Sequence, residues 1–418
     1  MDRKIIKRKH YFRLIVISFV IGLITAVLGY SLKIITELAE ERIFRWAMER
    51  SRYLFVLLPS IGITGIYFLR KYLFLNRKNK GIAEIYKTVD QRKDHLPFFK
   101  IPSHYINGFL TVIFGGSTGI EVSTVVATAT VGNVFYEKNY TANIYKLELI
   151  CAGVTAGISI LFGSPIVGWL FAMEAIARKI NKTLVIACTS AAVSSWIILY
   201  FFPTKPIINT PIGDWTWIAL PFMIILSLFS GLLSAYFTLL VVHIKDFFNN
   251  ISNNFVRVNS GAVLVGIFIM CFPFLYGDSY HSLNSIFNNP YQYSIIILLG
   301  LAIIKPLVSS LTLGAGGDGG VFAPSIVAGA YLGIAFSLIC NSIFSIHLKP
   351  LNFALIGAAA MLSTSIYAPL TTIFLICNLV PNGFNLVIPI LIVSFSSKIF
   401  TKKMILPYNV YTFFTNKT

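Results

Sequence analysis

The sequence predicts an all-α polytopic membrane protein built from two related helical halves. Three observations lead there: a very apolar composition, apolar runs of spanning length, and motifs that recur at offsets of 201 to 209 residues.

Of the 418 residues, 56% are hydrophobic and 12% are charged, against about 25% charged in soluble domains. A soluble fold of this size has too little polar surface to cover so much apolar material. The runs Leu14–Ile35, Tyr53–Phe74, Leu149–Ala177, Leu184–Phe202, Trp215–Val242, Ile295–Leu313 and Phe353–Cys377 reach or approach the ~20 residues that cross the hydrocarbon as a helix. Gly108–Phe114, Val321–Ile343 (cut by Pro324) and Leu386–Phe395 are shorter or interrupted. Broken segments at membrane depth are tolerated only against protein or a watery cavity. The pattern therefore points to a transporter or channel.

The net charge of +18 is not spread as in a nucleic-acid binder. Basic residues crowd Arg3–Arg13, Arg70–Lys100, Arg178–Lys182 and Lys398–Lys403, whereas Gly277–Tyr293 holds no Lys or Arg. Clustering in alternate loops places both termini in the cytoplasm, with basic tails against acidic lipid. The first apolar run shows no obvious cleavage site and reads as a retained span. The five cysteines lie in apolar segments without ligand spacing and the six histidines are scattered, so neither a metal site nor a cofactor is expected.

Gly22–Ala26 resembles Gly231–Ala235, Gly115–Ser123 resembles Gly316–Pro324, and Gly153–Glu174 runs in step with Gly357–Asn378. Three matches in one order are hard to ascribe to chance. They divide the chain into a first membrane repeat, 1–205, and a second, 206–418. Internal symmetry with broken helices predicts a binding site at the repeat interface near the midplane.

The two Gly-rich turns, Gly115–Ser123 and Gly316–Pro324, each open an apolar helical run. Such a turn exposes backbone N–H groups and the positive end of the helix dipole, which suits an anion. Close helix packing explains one glycine cluster equally well; two related copies favour the anion. Glu121 is the sole formal charge between Ile101 and Tyr136. A carboxylate there would compete with an anion for the same donors and leave when protonated. Glu174 has two roles open to it, a structural salt bridge and proton transfer; its repeat mate is Asn378. Asp318 is expected to cap the helix after it. Lys80-Gly81 reads either as a third turn before a short helix or as a solvated basic loop, and Tyr408 and Tyr411 near the C-terminus offer phenolic donors or belong to an interfacial aromatic belt.

In this order and spacing the segments resemble the CLC family of chloride channels and proton-coupled chloride antiporters. Gly119-Ile-Glu121-Val-Ser123 resembles the family's gating motif Gly-Arg-Glu-Gly-Pro, and Gly320-Val-Phe322-Ala-Pro324 matches its Gly-x-Phe-x-Pro motif in full. Asn79-Lys80-Gly81-Ile82-Ala83 is a weaker likeness to Gly-Ser-Gly-Ile-Pro. The resemblance implies an inverted repeat with broken and re-entrant helices, a homodimer with a pore in each subunit, and a bacterial plasma membrane location. It implies chloride as the substrate and Glu121 as the gate. The amides of Val321 and Phe322 and the Tyr411 hydroxyl would serve the central anion, and those of Ile120, Glu121 and Val122 an outer one. Lys80 and Gly81 would line the inner side.

Departures matter as much. Lys80 replaces the pore serine, Ile120 the usual arginine, and Val122-Ser123 the Gly-Pro pair. Where antiporters carry two successive glutamates, this chain has Glu174 followed by Ala175. Loss of the second, the internal proton acceptor, leans the reading to channel-like or uncoupled conduction. Proton exchange by another inner route, involving Glu121 and Glu174, is the alternative. A fluoride-exporting branch fits less well, its gating motif ending in Gly-Thr. The cytoplasmic nucleotide-binding pair that many relatives append is not expected.

An intramembrane enzyme is the reading from a different class. Gly115-Gly-Ser117-Thr-Gly119 fits Gly-x-Ser-x-Gly formally, but a nucleophile needs a strand-to-helix turn and acid and histidine partners. The same turn recurs with Asp318 in place of the serine. A cation transporter would call for several midplane carboxylates, and only Glu121 and Glu174 qualify.

Overall fold

The computed structural model describes residues 3–74, 79–90, 96–138 and 144–416. They form α-helices in chain order: α1 (Arg3–Arg50), α2 (Leu54–Tyr72), α3 (Ile82–Asp90), α4 (Lys100–Ile113), α5 (Glu121–Glu137), α6 (Lys146–Leu161), α7 (Pro165–Phe171) and α8 (Lys182–Phe201). There follow α9 (Leu220–Asn249), α10 (Asn254–Cys271), α11 (Tyr280–Asn288), α12 (Ile295–Ala315), α13 (Phe322–Phe344), α14 (Pro350–Ile366), α15 (Pro369–Asn378), α16 (Val387–Met404) and α17 (Val410–Asn416). Among the described residues there is no strand, only one isolated antiparallel bridge.

Eight helical segments among the described residues are long and apolar enough to span: α1 from Arg8, α2, α8, α9 with the short turn before it, α10, α12, α13, and α16 with its leading turn. Large apolar side chains such as Val27, Ile61, Ile218, Ile303 and Leu391 stand exposed on them. An apolar outer face of this kind belongs against lipid.

Several expected runs are reshaped by backbone chemistry. Leu149–Ala177 is two helices, α6 and α7, parted at Gly163 (φ 64°) and Pro165 and continued by a π-helical turn over Ala172–Ala177. Phe353–Cys377 breaks likewise into α14 and α15, at Tyr367 (φ 56°) and Pro369. Both prolines sit at a helix start, where the missing N–H has no intrahelical acceptor anyway. The interruption expected at Pro324 does not occur: α13 begins at Phe322, so Pro324 lies in its first turn and the helix runs unbroken to Phe344. α10, which packs on α2, has no counterpart among the expected runs.

The residues divide into two units, one of 1–35, 79–106 and 121–205, the other of 36–78, 107–120 and 206–418. The last change of unit along the chain falls after Lys205, while 36–78 and 107–120 group with the later residues. In the first unit, Leu14, Ile21, Leu149, Ala152, Ala156 and Ala187 form a continuous apolar core. There α5 crosses α6 at backbone contact: a Cβ on Gly153 would fall 2.2 Å from the Thr128 carbonyl oxygen, and one on Gly132 2.1 Å from that of Leu149. In the second unit α13 crosses α14 the same way, with Gly357 against Gly329 at 2.1 Å and Gly333 against Phe353 at 2.0 Å. These are the repeat mates, and the shared crossing is independent evidence of the duplication.

Candidate functional site

The two Gly-rich turns are built on one plan. Gly115 (φ 85°) and Gly316 (φ 110°) adopt a conformation that only glycine takes without strain. Each chain then folds back, Gly116 N–H donating to the Thr111 carbonyl (2.7 Å) and Gly317 N–H to the Thr312 carbonyl (2.9 Å). The side chains cross over: the Thr312 hydroxyl accepts the Ser117 N–H at 3.1 Å, and the Thr111 hydroxyl accepts the Asp318 N–H at 2.9 Å. Gly119 and Gly320 form the antiparallel bridge. α5 starts two residues after one bridge partner and α13 two residues after the other.

At α13 the N-cap is Val321, which offers no side-chain acceptor, so Asp318 lies three positions ahead of the cap it was expected to supply. Val321 and Phe322 are buried and apolar. The first N–H groups of any helix lack intrahelical acceptors, and here they sit in a turn whose side chains are aliphatic or aromatic. Arg70 donates to the Gly316 carbonyl at 2.9 Å, closing the C-terminus of α12 with a cation. Ile120 belongs to the same unit as this turn.

Tyr411 lies in α17 and is 8% exposed. Asn409 places it: its Oδ1 accepts the N–H groups of Tyr411 (3.1 Å) and Thr412 (2.9 Å), while the Thr412 hydroxyl accepts the Asn409 N–H at 3.0 Å. This reciprocal cap fixes the start of a helix too short to hold itself.

In the other unit, Glu121 is the first residue of α5 and only 4% exposed. The whole of Glu121–Asn133 is buried. Gly81 (φ 65°) abuts the next residue, since a Cβ on it would lie 3.3 Å from Val122 Cγ1. The Lys80 side chain is exposed, and its backbone N–H donates to Glu84 Oε1 at 2.8 Å. Glu84 thus folds back on the first turn of α3, as a carboxylate at a positive helix end should. Lys100 Nζ donates to the same oxygen at 2.8 Å, and His104 Nε2 lies 3.9 Å from Oε2. Burial raises the Glu84 pKa, but the His104 ring and the Lys100 ammonium outweigh it and hold the carboxyl below its ordinary range.

Glu174 is half-buried within the π-helical turn. Ala175 beside it is buried, and its carbonyl accepts the Tyr86 hydroxyl at 2.8 Å. The Arg178 guanidinium stacks 3.6 Å from the centre of the Tyr86 ring.

The sequence reading passed over a buried lysine. Lys305 of α12 is wholly buried, and Nζ donates to Ser117 Oγ (2.8 Å), Ser279 Oγ (2.7 Å) and the Gly277 carbonyl (3.0 Å). Ser309 donates to the Ser117 carbonyl. Glu40 packs against Gly277, accepting the Asp278 N–H at 3.3 Å. The warning was present: a lysine inside the otherwise uncharged run Ile295–Leu313. Its repeat mate, 201 positions earlier, is His104, also wholly buried.

Spanning helices in repeated order, with two cross-bonded Gly-rich turns each leading into a buried helix start, mark an integral multi-pass membrane transport protein. The sequence profile of the family described as "Voltage gated chloride channel" matches residues 62–402, and the chain belongs to that family. It is 25% identical over 422 residues to the H(+)/Cl(-) exchange transporter ClcA of Citrobacter koseri, covering 93% of this chain and 86% of that one. With the ClcA of Vibrio cholerae it shares 24% over 416 residues, covering 95% and 88%. In fold it matches the crystal structure of a slow cyanobacterial Cl−/H+ antiporter with a TM-score of 0.84, 20% identity and 97% coverage of both chains. A CLC-type fluoride/proton antiporter matches with a TM-score of 0.79, 21% identity, and coverage of 95% and 96%. The all-helical CLC-type fold expected from the sequence is the fold of this chain.

Proposed function

We propose that this protein moves chloride across a bilayer by dehydrating it onto the first-turn N–H groups of α5 and α13, with Glu121 as the gate. The observation that carries this reading is the pair of bridged Gly-rich turns, one leading into the uncharged start of α13 and the other into α5, whose first residue is the buried carboxylate Glu121. Partial charges of this kind bind an anion firmly enough to replace its hydration and weakly enough to release it. The amides of Val321 and Phe322 and the Tyr411 hydroxyl serve the central anion; those of Ile120, Glu121 and Val122 serve the outer one. Ionised, Glu121 takes the anion's place at the outer donors; protonated, it leaves. Lys80 acts through its charge and raises the local anion concentration, because its amide is engaged by Glu84. Gly81 lets the chain pass close to Val122.

Ala175 supports uncoupled conduction, since no carboxylate stands at the inner position and the Tyr86 hydroxyl occupies its carbonyl. A second reading, proton-coupled exchange, is supported by the exchange activity named for the ClcA relatives; its inner proton route would run by Glu174. In either case the protein is read as a homodimer in a bacterial plasma membrane with both termini in the cytoplasm.

Chloride efflux from proteoliposomes, with proton movement recorded at the same time, tests both. Efflux that needs valinomycin and moves no protons supports uncoupled conduction. Proton movement driven uphill by a chloride gradient selects exchange, and no efflux at all removes the transport reading.

A further inference from the structure

Most buried threonine hydroxyls in this protein are accounted for. Those of Thr111, Thr128, Thr130, Thr155 and Thr312 donate to the carbonyl four residues back. Thr118 differs. It lies in the first Gly-rich turn, where there is no preceding helical carbonyl to reach. Its backbone N–H donates to the Gly116 carbonyl at 2.7 Å. Its Oγ1 is fully buried and, among the described residues, makes no hydrogen bond. A buried hydroxyl with no protein partner is destabilising, and an anion beside it would supply the missing acceptor.

The position says what that partner is. The bridge pairs Gly119 with Gly320 in antiparallel sense, and this register sets Thr118 opposite Val321, the N-cap of α13. The hydroxyl leans on the residue before the bridge: a Cβ on Gly319 would fall 1.9 Å from Thr118 Oγ1. Gly319 is the repeat mate of Thr118, so the second turn yields the space that the hydroxyl of the first one takes. An O–H donor therefore stands against Gly319, two residues ahead of the α13 N-cap Val321, next in the chain to the amides of Val321 and Phe322 that the transport reading assigns to the anion.

We propose that Thr118 is an additional anion donor and a selectivity determinant, giving its O–H to the anion at the start of α13. The inference rests on the transport reading above. Small anions of high charge density lose the most hydration on entering and gain the most from a directed donor; large, weakly hydrated anions gain little. Thr118 accordingly favours chloride over thiocyanate and nitrate.

The test uses the full chain. Thr118→Val replaces the hydroxyl by a methyl of nearly the same size, and Thr118→Ser retains the donor. Efflux of chloride, nitrate and thiocyanate is compared in proteoliposomes, and chloride binding to the detergent-solubilised protein is followed by calorimetry. The expected result is a chloride-to-thiocyanate ratio lowered roughly three- to tenfold in Thr118→Val, the effect of one lost hydrogen bond, with Thr118→Ser near wild type. An unchanged ratio in Thr118→Val overturns the proposal. If that variant does not purify as a single species, Thr118→Ala is set against Thr118→Ser, and equal ratios in the two overturn it. A wild type that moves no anion refutes the transport reading instead; Thr118→Val binding chloride as tightly as wild type would still refute the donor.

Discussion

Thr111 and Thr312, 201 positions apart in the chain, each hold the other's turn: the hydroxyl of one accepts the N–H of Asp318, that of the other the N–H of Ser117. Each hydroxyl also donates to the carbonyl four residues behind it, on Asn107 at 2.7 Å and Val308 at 2.9 Å. The threonines therefore tie the ends of α4 and α12 to the starts of the turns opposite.

Replacing either threonine by valine leaves one buried turn N–H unpaired, at a cost of about 1–3 kcal/mol. Thr111→Val and Thr312→Val are each expected to melt earlier in detergent and to lose chloride turnover, while the serine variants keep both. The double variant loses less than the sum of the singles, because the two hydroxyls serve one junction. Additive losses would show that the turns are held independently.

Glu121→Gln removes the charge that competes with the anion and keeps the shape. Chloride turnover should rise at neutral pH and lose its dependence on pH, whereas the wild type speeds up as the medium is acidified. Flux measured at neutral and acid pH on both proteins decides this; a variant with the wild-type profile removes Glu121 as the gate.

Lys305→Met removes the donor to Ser117 Oγ and the Gly277 carbonyl and leaves Ser279 Oγ only its bond to the Tyr276 carbonyl, with the Glu40 carboxylate close by. Leaving a buried acceptor unpaired costs about 1–3 kcal/mol, so this variant should be destabilised in detergent. Lys305→Arg keeps the charge and should fold, yet its flat fork cannot reproduce three converging bonds. Its chloride turnover is expected to drop through displacement of Ser117. Wild-type turnover in Lys305→Arg would confine Lys305 to a structural role.

The Glu84 carboxyl, in a helix outside the spanning set, is held below its ordinary value of 4.5 by His104 and Lys100 against the opposing effect of burial. A depressed carboxyl contributes stability that is complete above the ordinary value and is lost as pH falls through the folded one. Thermal melting of wild type and Glu84→Gln should therefore differ most near neutral pH and converge as the pH drops below 4.5. A gap that stays constant into acid would mean that the charge contributes nothing.

The helical class, the repeat and the Gly-rich turns were legible because apolar content, offset and glycine spacing are linear properties of the chain. Helix breaks at Pro165 and Pro369 were harder, since the runs across them stay apolar; only the left-handed Gly163 and Tyr367 reveal the turn. Pro324 misled for the opposite reason, as a first-turn proline starts a helix rather than stopping one. Lys305 and the crossed threonines were missed because their partners lie far off in sequence, at 188 residues for Ser117 with Lys305 and 195 for Ser117 with Thr312. No window of local pattern contains such pairs. Asn409 was within reach, since Asn is among the preferred residues at the position just before a helix.

The crossed threonines also bear on biosynthesis. When the ribosome has made the first Gly-rich turn, the hydroxyl that will receive the Ser117 N–H is still 195 residues away. At ~5–20 residues per second that interval is about 10–40 s. Until Thr312 arrives, the nascent first repeat carries a turn whose amide has no acceptor of its own. The first Gly-rich turn is thus completed late, only once α12 of the second repeat has been made, and a chain cut after Lys205 cannot finish it. Separately made halves would have to find each other in the membrane before either turn could close.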